Sequence, residues 1–147
     1  MTKLFKITAV ISLTIIVISL ISIIILYHSL SSTDFIVEKK NNSHIRIAVL
    51  NGCGREGLAT MFTQNLRNLG YDVVNGWGGN ADSFDFDFSV VLNRKGNRKN
   101  AEKVADDLGI KEIIDQYSAN PYIIEDVVVI LGRDWDTLKI SKEVLSD

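Results

Sequence analysis

What the chain lacks narrows its chemistry. It holds one cysteine (Cys53), one proline (Pro121) and two histidines (His28 and His44). A lone cysteine cannot staple the fold internally. There is no HExxH segment, no CxxC pair and no cluster of carboxylates with histidine, so a metal site has no ligand set. Asp82, Asp85 and Asp87 have a loosely calcium-like spacing, but phenylalanines intervene, and neither the glycine nor the closing glutamate of a calcium loop follows. A strand with one wet face explains them. An excess of positive charge is missing too. The formal net charge is −2, and from Ile45 to Asp147 there are 12 Lys and Arg against 16 Asp and Glu, a balance of −4. That argues against general nucleic-acid binding, which needs a basic face. With no disulfide, a domain of about a hundred residues must be held by its hydrophobic core alone.

One absence is positional. From Ile7 to Leu26, "ITAVISLTIIVISLISIIIL", no residue is charged. About twenty residues at 1.5 Å each span the roughly 30 Å hydrocarbon core of a bilayer, so 7–26 is expected to be a transmembrane helix. The alternative, a cleaved signal peptide, would have a shorter apolar region and a small-x-small cleavage site, and "ILYHSLSSTDF" offers no Ala-x-Ala. Lys3 and Lys6 lie close before the helix, and the Lys39–Lys40 pair lies farther after it. This asymmetry places residues 1–6 in the cytoplasm and everything after Tyr27 outside it. Residues 27–44 are polar and without periodicity and read as a tether. A folded domain is expected over 45–136, with a tail over 137–147.

The domain contains an internal echo. "VLNGCGREGLA" from Val49 and "VLNRKGNRKNA" from Val91 share Val-Leu-Asn, a glycine and an alanine at one offset, and Leu69-Gly70 and Leu108-Gly109 close the two units. Each unit reads as strand, turn, helix and terminating glycine, so two βαβ-like halves are expected. Ile45, Ile47 and Val49 alternate as a strand with one buried face requires. Leu58, Ala59, Phe62, Leu66 and Leu69 recur at helical spacing, with Gly70 as the stop. "YDVVN" is a short second strand. Phe84, Phe86, Phe88, Val90 and Leu92 share one face of a third strand. Asn97 caps a second helix with the stripe Ala101, Val104, Ala105 and Leu108, ended by Gly109. "IKEII" is a candidate extra strand, "SANPY" a turn around Pro121, and "DVVVILG" a strand apolar on both faces. The order βαββαβ predicts an α+β fold of ferredoxin-like type, two helices on one face of a mostly antiparallel sheet.

Gly52, Gly54 and Gly57 form GxGxxG between a strand and a helix, the spacing of a dinucleotide-binding turn. That reading needs an acidic residue at the carboxyl end of the second strand, and Asp72 falls at its beginning. Asn51 also stands where an apolar strand residue is usual. The architectural reading is sufficient: Asn51-Gly52 makes a tight exit from the strand, Gly54 takes a positive φ, and Gly57 lets the helix lie close to the sheet. No cofactor is therefore expected, and a nucleotide-dependent activity at this loop remains the enzyme alternative.

Taken in order, "VLNGCGREGLA", "GYDVV", "NADSFDF", "VVLNRKG" and "VVVILGRDW" resemble the C-terminal domain of the LytR cell-envelope-related proteins. The resemblance covers about Ile45 to Asp136. It implies an extracytoplasmic accessory domain of the bacterial envelope, often attached behind a LytR-CpsA-Psr catalytic domain and sometimes borne alone on a membrane helix. This sequence has no counterpart of that catalytic domain, so polymer transfer does not carry over. Cys53 stands where the family commonly has a small Ser or Thr. A thiol beside a helix amino terminus has its pKa lowered, but both histidines lie in the tether, and a small filler is the simpler role.

Three stretches are candidate contacts. In "NGWGGNADSFDF", Trp77 beside Asn80 and Asp82 offers an aromatic face and polar groups to a sugar, or else folds over the sheet edge. In "NRKGNRK", Arg94, Lys95, Arg98 and Lys99 oppose the dipole at a helix start and would be relieved by an anionic polymer; the alternative is a solvated loop. In "LGRDW", Arg133 and Asp134 pair and Trp135 seals the core. The expectation is a non-catalytic, single-pass protein of the bacterial cytoplasmic membrane whose outer domain binds wall polymer or an envelope protein, a pure spacer being the bland alternative. Oligomeric state is left open by the sequence.

Overall fold

The computed structural model describes residues 2–141, with side chains described for 11–29, 39 and 41–141. The chain divides into two compact units, 1–38 and 39–147. The first belongs to helix α1, Thr2–Asn42. Ile11–Ser29 forms a stretch of 19 residues with mean hydropathy 2.4, none of it buried within the protein. Three of its hydroxyls bond inside the helix: Thr14 donates to the carbonyl of Ile11, Ser19 to that of Ile16 and Ser22 to that of Ile18. A helix that meets its own polar demands in this way suits a lipid surrounding. The expected tether is helical too, as far as Asn42. Residues 27–42 contain no glycine or proline, so nothing there stops a helix.

The second unit is a mixed sheet with two helices. Its elements are β1 (Arg46–Asn51), α2 (Leu58–Asn68), β2 (Asp72–Val73), β3 (Gly79–Asn80), β4 (Val90–Asn93), α3 (Arg98–Leu108), β5 (Glu112–Asp115) and β6 (Val127–Leu131). The strand order is β2-β1-β6-β4-β5, with β3 beside β1. Both helices pack on one face of an α+β sheet, as expected. Leu58, Phe62 and Leu66 of α2 and Ala101, Val104 and Leu108 of α3 share a core with Ile47, Val49, Val91, Val127, Val129 and Leu131. Each fully buried aliphatic or aromatic side chain there contributes about 1.5–3 kcal/mol. The opposite face carries the smaller cluster Ala48, Val90, Val128 and Ile130, covered in part by Phe86 and Ala81.

The pairing departs from a mostly antiparallel sheet. β1 runs parallel to β2, β3 and β6, and β4 runs parallel to β5; only β4 and β6 are antiparallel. The cause is the echo itself. Each half is a strand-helix-strand unit, which returns its second strand parallel to the first, and only the seam between the halves reverses direction. "IKEII" becomes β5, and "DVVVILG" becomes the fully buried central strand β6.

Three further expectations change. The third strand starts at Val90, not at Phe84. Phe86 alone of the three phenylalanines turns inward, bonding through its backbone to Gly52 and Arg133, while Phe88 is 73% exposed. Asp85 and Asp87 face Arg133, so Arg133 does not pair with its neighbour Asp134. Asp134 instead accepts from the N–H and hydroxyl of Ser89. Residues 137–141 are no loose tail. A single 3-10 turn, Trp135–Thr137, brings Trp135, Leu138 and Ile140 onto the main core. The remainder of the expected tail, 142–147, lies outside the described residues.

Candidate functional site

A concavity lies at the carboxyl end of β1, where the glycine loop enters α2. Asn51, nearly buried, organises that loop. Its Oδ1 accepts the N–H groups of Cys53 (3.2 Å) and Gly54 (3.0 Å), and its Nδ2 donates to the carbonyl of Arg55 at 2.8 Å. The polar residue that looked out of place for a nucleotide motif is therefore the post around which the turn is tied.

The glycines divide their labour differently from the expectation. Gly54 has φ +77° and Gly57 φ +75°, both in the left-handed region. A Cβ on Gly57 would meet nothing within 4 Å, so this glycine serves the helix entry and not a close approach. The tight contact belongs to Gly52, where a Cβ would lie 2.6 Å from the Ile130 side chain and 2.8 Å from that of Phe86.

The facing wall is the segment after β2. The Asn75 side chain stands in for a strand residue: its Oδ1 accepts from the N–H of Val49 and its Nδ2 donates to the Val49 carbonyl, filling the ladder between β2 and β3. Arg67 of α2 donates to the carbonyls of Val73 and Gly76 and lies 5.1 Å from the Trp77 ring centre. Thr60 holds the Trp77 carbonyl at 3.0 Å. The loop is thus pinned to α2 by its backbone while the indole stays 62% exposed. The groove so formed, about 390 Å³, has Trp77 and Phe84 as aromatic walls, with Glu56, Thr60 and Asn80 on its polar lining.

The candidate contacts separate into different places. Trp77 and Asn80 share this groove. Asp82 instead borders a second groove, about 490 Å³, on the helix-free face, with Arg94 and the apolar floor Leu50, Leu92, Val128 and Ile130. The basic turn lies at the opposite end of the sheet, where β4 finishes, and three of its four cations have partners. Arg94 donates to the carbonyl and side chain of Gln116. Lys95 pairs with Asp126 at 3.5 Å, and Arg98 with Asp115 at 2.9 Å and Glu102 at 3.1 Å. Lys99 is exposed. The Asp115 charge raises the Arg98 pKa further. Asp115 is itself held below its usual pKa, first by the amide of Asn93 and then by Tyr117 and Arg98.

Phe84, Thr60, Glu56 and Arg67 were not singled out in the sequence. Phe84 was hidden by an alternation that mimics a strand, and the others sit on a helix whose polar face carries no distinguishing pattern. Cys53 packs against the main core with Sγ 3.6 Å from Asn51 Oδ1, in keeping with the filler role. Among the described residues no group of His, Cys, Asp and Glu is arranged to hold a metal ion.

As a phosphate grip the first part of the glycine loop is spent. The N–H of Gly52 donates to Leu131, those of Cys53 and Gly54 to Asn51, that of Leu58 to Arg55 and that of Met61 to Gly57. Arg55 stacks 3.9 Å from the Trp135 ring centre, and Asp72 pairs with Arg46 in the register at the far end of β1.

The fold is similar to the crystal structure of the soluble domain, residues 71–217, of a conserved hypothetical secreted protein from Mycobacterium marinum. The TM-score is 0.54 at 21% identity, over 66% of this chain and 64% of that one. The match thus spans slightly under two thirds of that structure's length. No curated protein matches the sequence significantly. The model of the family described as LytR cell envelope-related transcriptional attenuator matches residues 44–135, which takes in every strand, both helices and the groove. Through this domain the chain belongs to the LytR cell envelope-related transcriptional attenuator family.

Proposed function

We propose that this protein is a membrane-anchored, non-catalytic module of the bacterial envelope that presents its folded domain outside the cytoplasm and holds wall polymer in the Trp77 groove. The observation that carries the reading is the groove itself: an indole exposed to solvent although its loop is fastened at the backbone by Thr60, Arg67 and Asn75. An aromatic face kept bare at such cost in ordering, beside the amide of Asn80, is suited to stacking on a sugar ring. Outward placement is supported by the apolar length of Ile11–Ser29, by the lysines before it, and by the secreted character given for the Mycobacterium marinum protein. A retained anchor is favoured over a cleaved leader by the length of the apolar stretch and by the missing Ala-x-Ala after it. A non-catalytic role is supported by the use of the Gly52, Cys53 and Gly54 donors within the fold and by Cys53 Sγ having an amide oxygen, that of Asn51, as its neighbour.

The test is sedimentation of the full chain, in detergent micelles, with purified cell-wall material. The wild type is expected in the pellet and Trp77→Ala in the supernatant. If wild type and variant sediment equally, or neither does, the groove is not a polymer site. A single dominant crosslinked species in cells, with no sedimentation, would replace polymer by a protein partner.

A further inference from the structure

We infer that the Trp77 groove takes an uncharged glycan and turns away phosphate-bearing polymer. The inference rests on the polymer-binding reading above and adds the chemical class of the ligand.

Three features converge on it. First, the early donors of the turn are engaged elsewhere: the N–H groups of Gly52, Cys53 and Gly54 bond within the protein, and Arg55 lies over Trp135. Arg67, the nearest cation to Trp77, gives its terminal nitrogen to two carbonyls of the loop. Second, the one ionisable side chain lining the groove is Glu56, which is exposed and negative. A phosphodiester brought within about 4–6 Å of that carboxylate meets like-charge repulsion with no cation in the lining to offset it. Third, what the groove does offer matches an uncharged sugar. Trp77 and Phe84 supply faces for the C–H side of a pyranose, while Glu56 and Asn80 supply acceptors for its hydroxyls. The cations that would answer a phosphate polymer sit at the other end of the sheet, already facing Asp115, Glu102 and Asp126.

The experiment uses the full chain in detergent micelles with two soluble probes, the uncharged tetramer of N-acetylglucosamine and the anionic polymer polyglycerol phosphate. Calorimetric titration is expected to show binding of the tetramer, weakened about tenfold by Trp77→Ala, and no binding of polyglycerol phosphate at the groove. Glu56→Lys is expected to admit polyglycerol phosphate. Both positions are exposed, and unchanged urea midpoints would confirm that both variants fold. Binding of polyglycerol phosphate that is lost in Arg98→Glu but kept in Trp77→Ala would put the anion at the far end of the sheet and leave the inference standing. Polyglycerol phosphate that competes with the tetramer, or whose binding is lost in Trp77→Ala, overturns it. So does silence of the tetramer while wall material still sediments in a Trp77-dependent way, an outcome that preserves the polymer-binding reading. Failure of sedimentation itself would remove that reading instead.

Discussion

The two halves of the domain begin with the same three residues and finish very differently. Val49-Leu50-Asn51 and Val91-Leu92-Asn93 each end a strand on a nearly buried asparagine whose Oδ1 accepts backbone N–H groups of the following turn: Cys53 and Gly54 in the first half, Gly96 in the second. From there they diverge. The first turn opens into a groove with two aromatic walls and one negative charge. The second closes on itself, with Asn93 Nδ2 on Asp115 and Asp115 on Arg98. A repeated turn frame fixes the strand-to-helix geometry, and the residues hung on it decide whether that end of the sheet opens into a groove or shuts. The GxGxxG spacing thus meets a need of the turn itself, with Gly54 and Gly57 at positive φ and Gly52 in close contact with Ile130 and Phe86.

If the asparagines are the shared frame, removing them should cost most. Asn51→Ala gives up three hydrogen bonds and strands two loop N–H groups, which at about 1 kcal/mol each predicts a loss of about 3 kcal/mol. Asn93→Ala, with two bonds, should lose about 2 kcal/mol. Urea unfolding of both variants would read the difference, and equal or negligible losses would dissolve the parallel. Next come the glycines of the open half. Gly52→Ala forces a methyl against Ile130, Phe86 and the Leu131 carbonyl, at about 2 kcal/mol. Gly57→Ala meets only the cost of a left-handed backbone, about 1 kcal/mol. The reverse ranking would return Gly57 to the role of close-packing residue.

The smallest effect distinguishes the closed half by pH. Because Asp115 is depressed in the folded state, chiefly by Asn93, its contribution to stability is complete above the unfolded carboxyl value of about 3.9 and is lost as pH falls through the lower folded value. Asp115→Asn should therefore be less stable than wild type at neutral pH and close that gap below about pH 4. Parallel acid titrations followed by circular dichroism would decide it.

Much of this arrangement was legible in the residues. The helical stripes of α2 and α3, the stop glycines and the uniformly apolar β6 all depend on local periodicity, and local periodicity is what a sequence displays. The parallel sense of the pairings was written in the echo, two βαβ units, but was overridden by the βαββαβ order, which several topologies share. The phenylalanines of 84–88 alternate convincingly, yet Gly132, where a Cβ would sit 2.4 Å from the Phe88 backbone, and the Asp–Arg133 contacts take that segment out of the ladder. Those are contacts across more than forty positions, and no window of sequence contains them. The groove was half visible for the same reason: Trp77 and Asn80 lie close in the chain, whereas Glu56 and Thr60 reach it only through folding.

Asn51 and Asn75 are each followed by glycine, the neighbour that most readily lets an asparagine cyclise through its own backbone and emerge as aspartate or isoaspartate. Here both amide groups are bound at each end, Asn51 within its turn and Asn75 across Val49. Neither side chain is free to swing toward the following nitrogen unless the loop comes apart. Chemical ageing at these two positions should then run at the pace of local opening, so that the extent of deamidation in a stored sample keeps a record of how often the loop has opened.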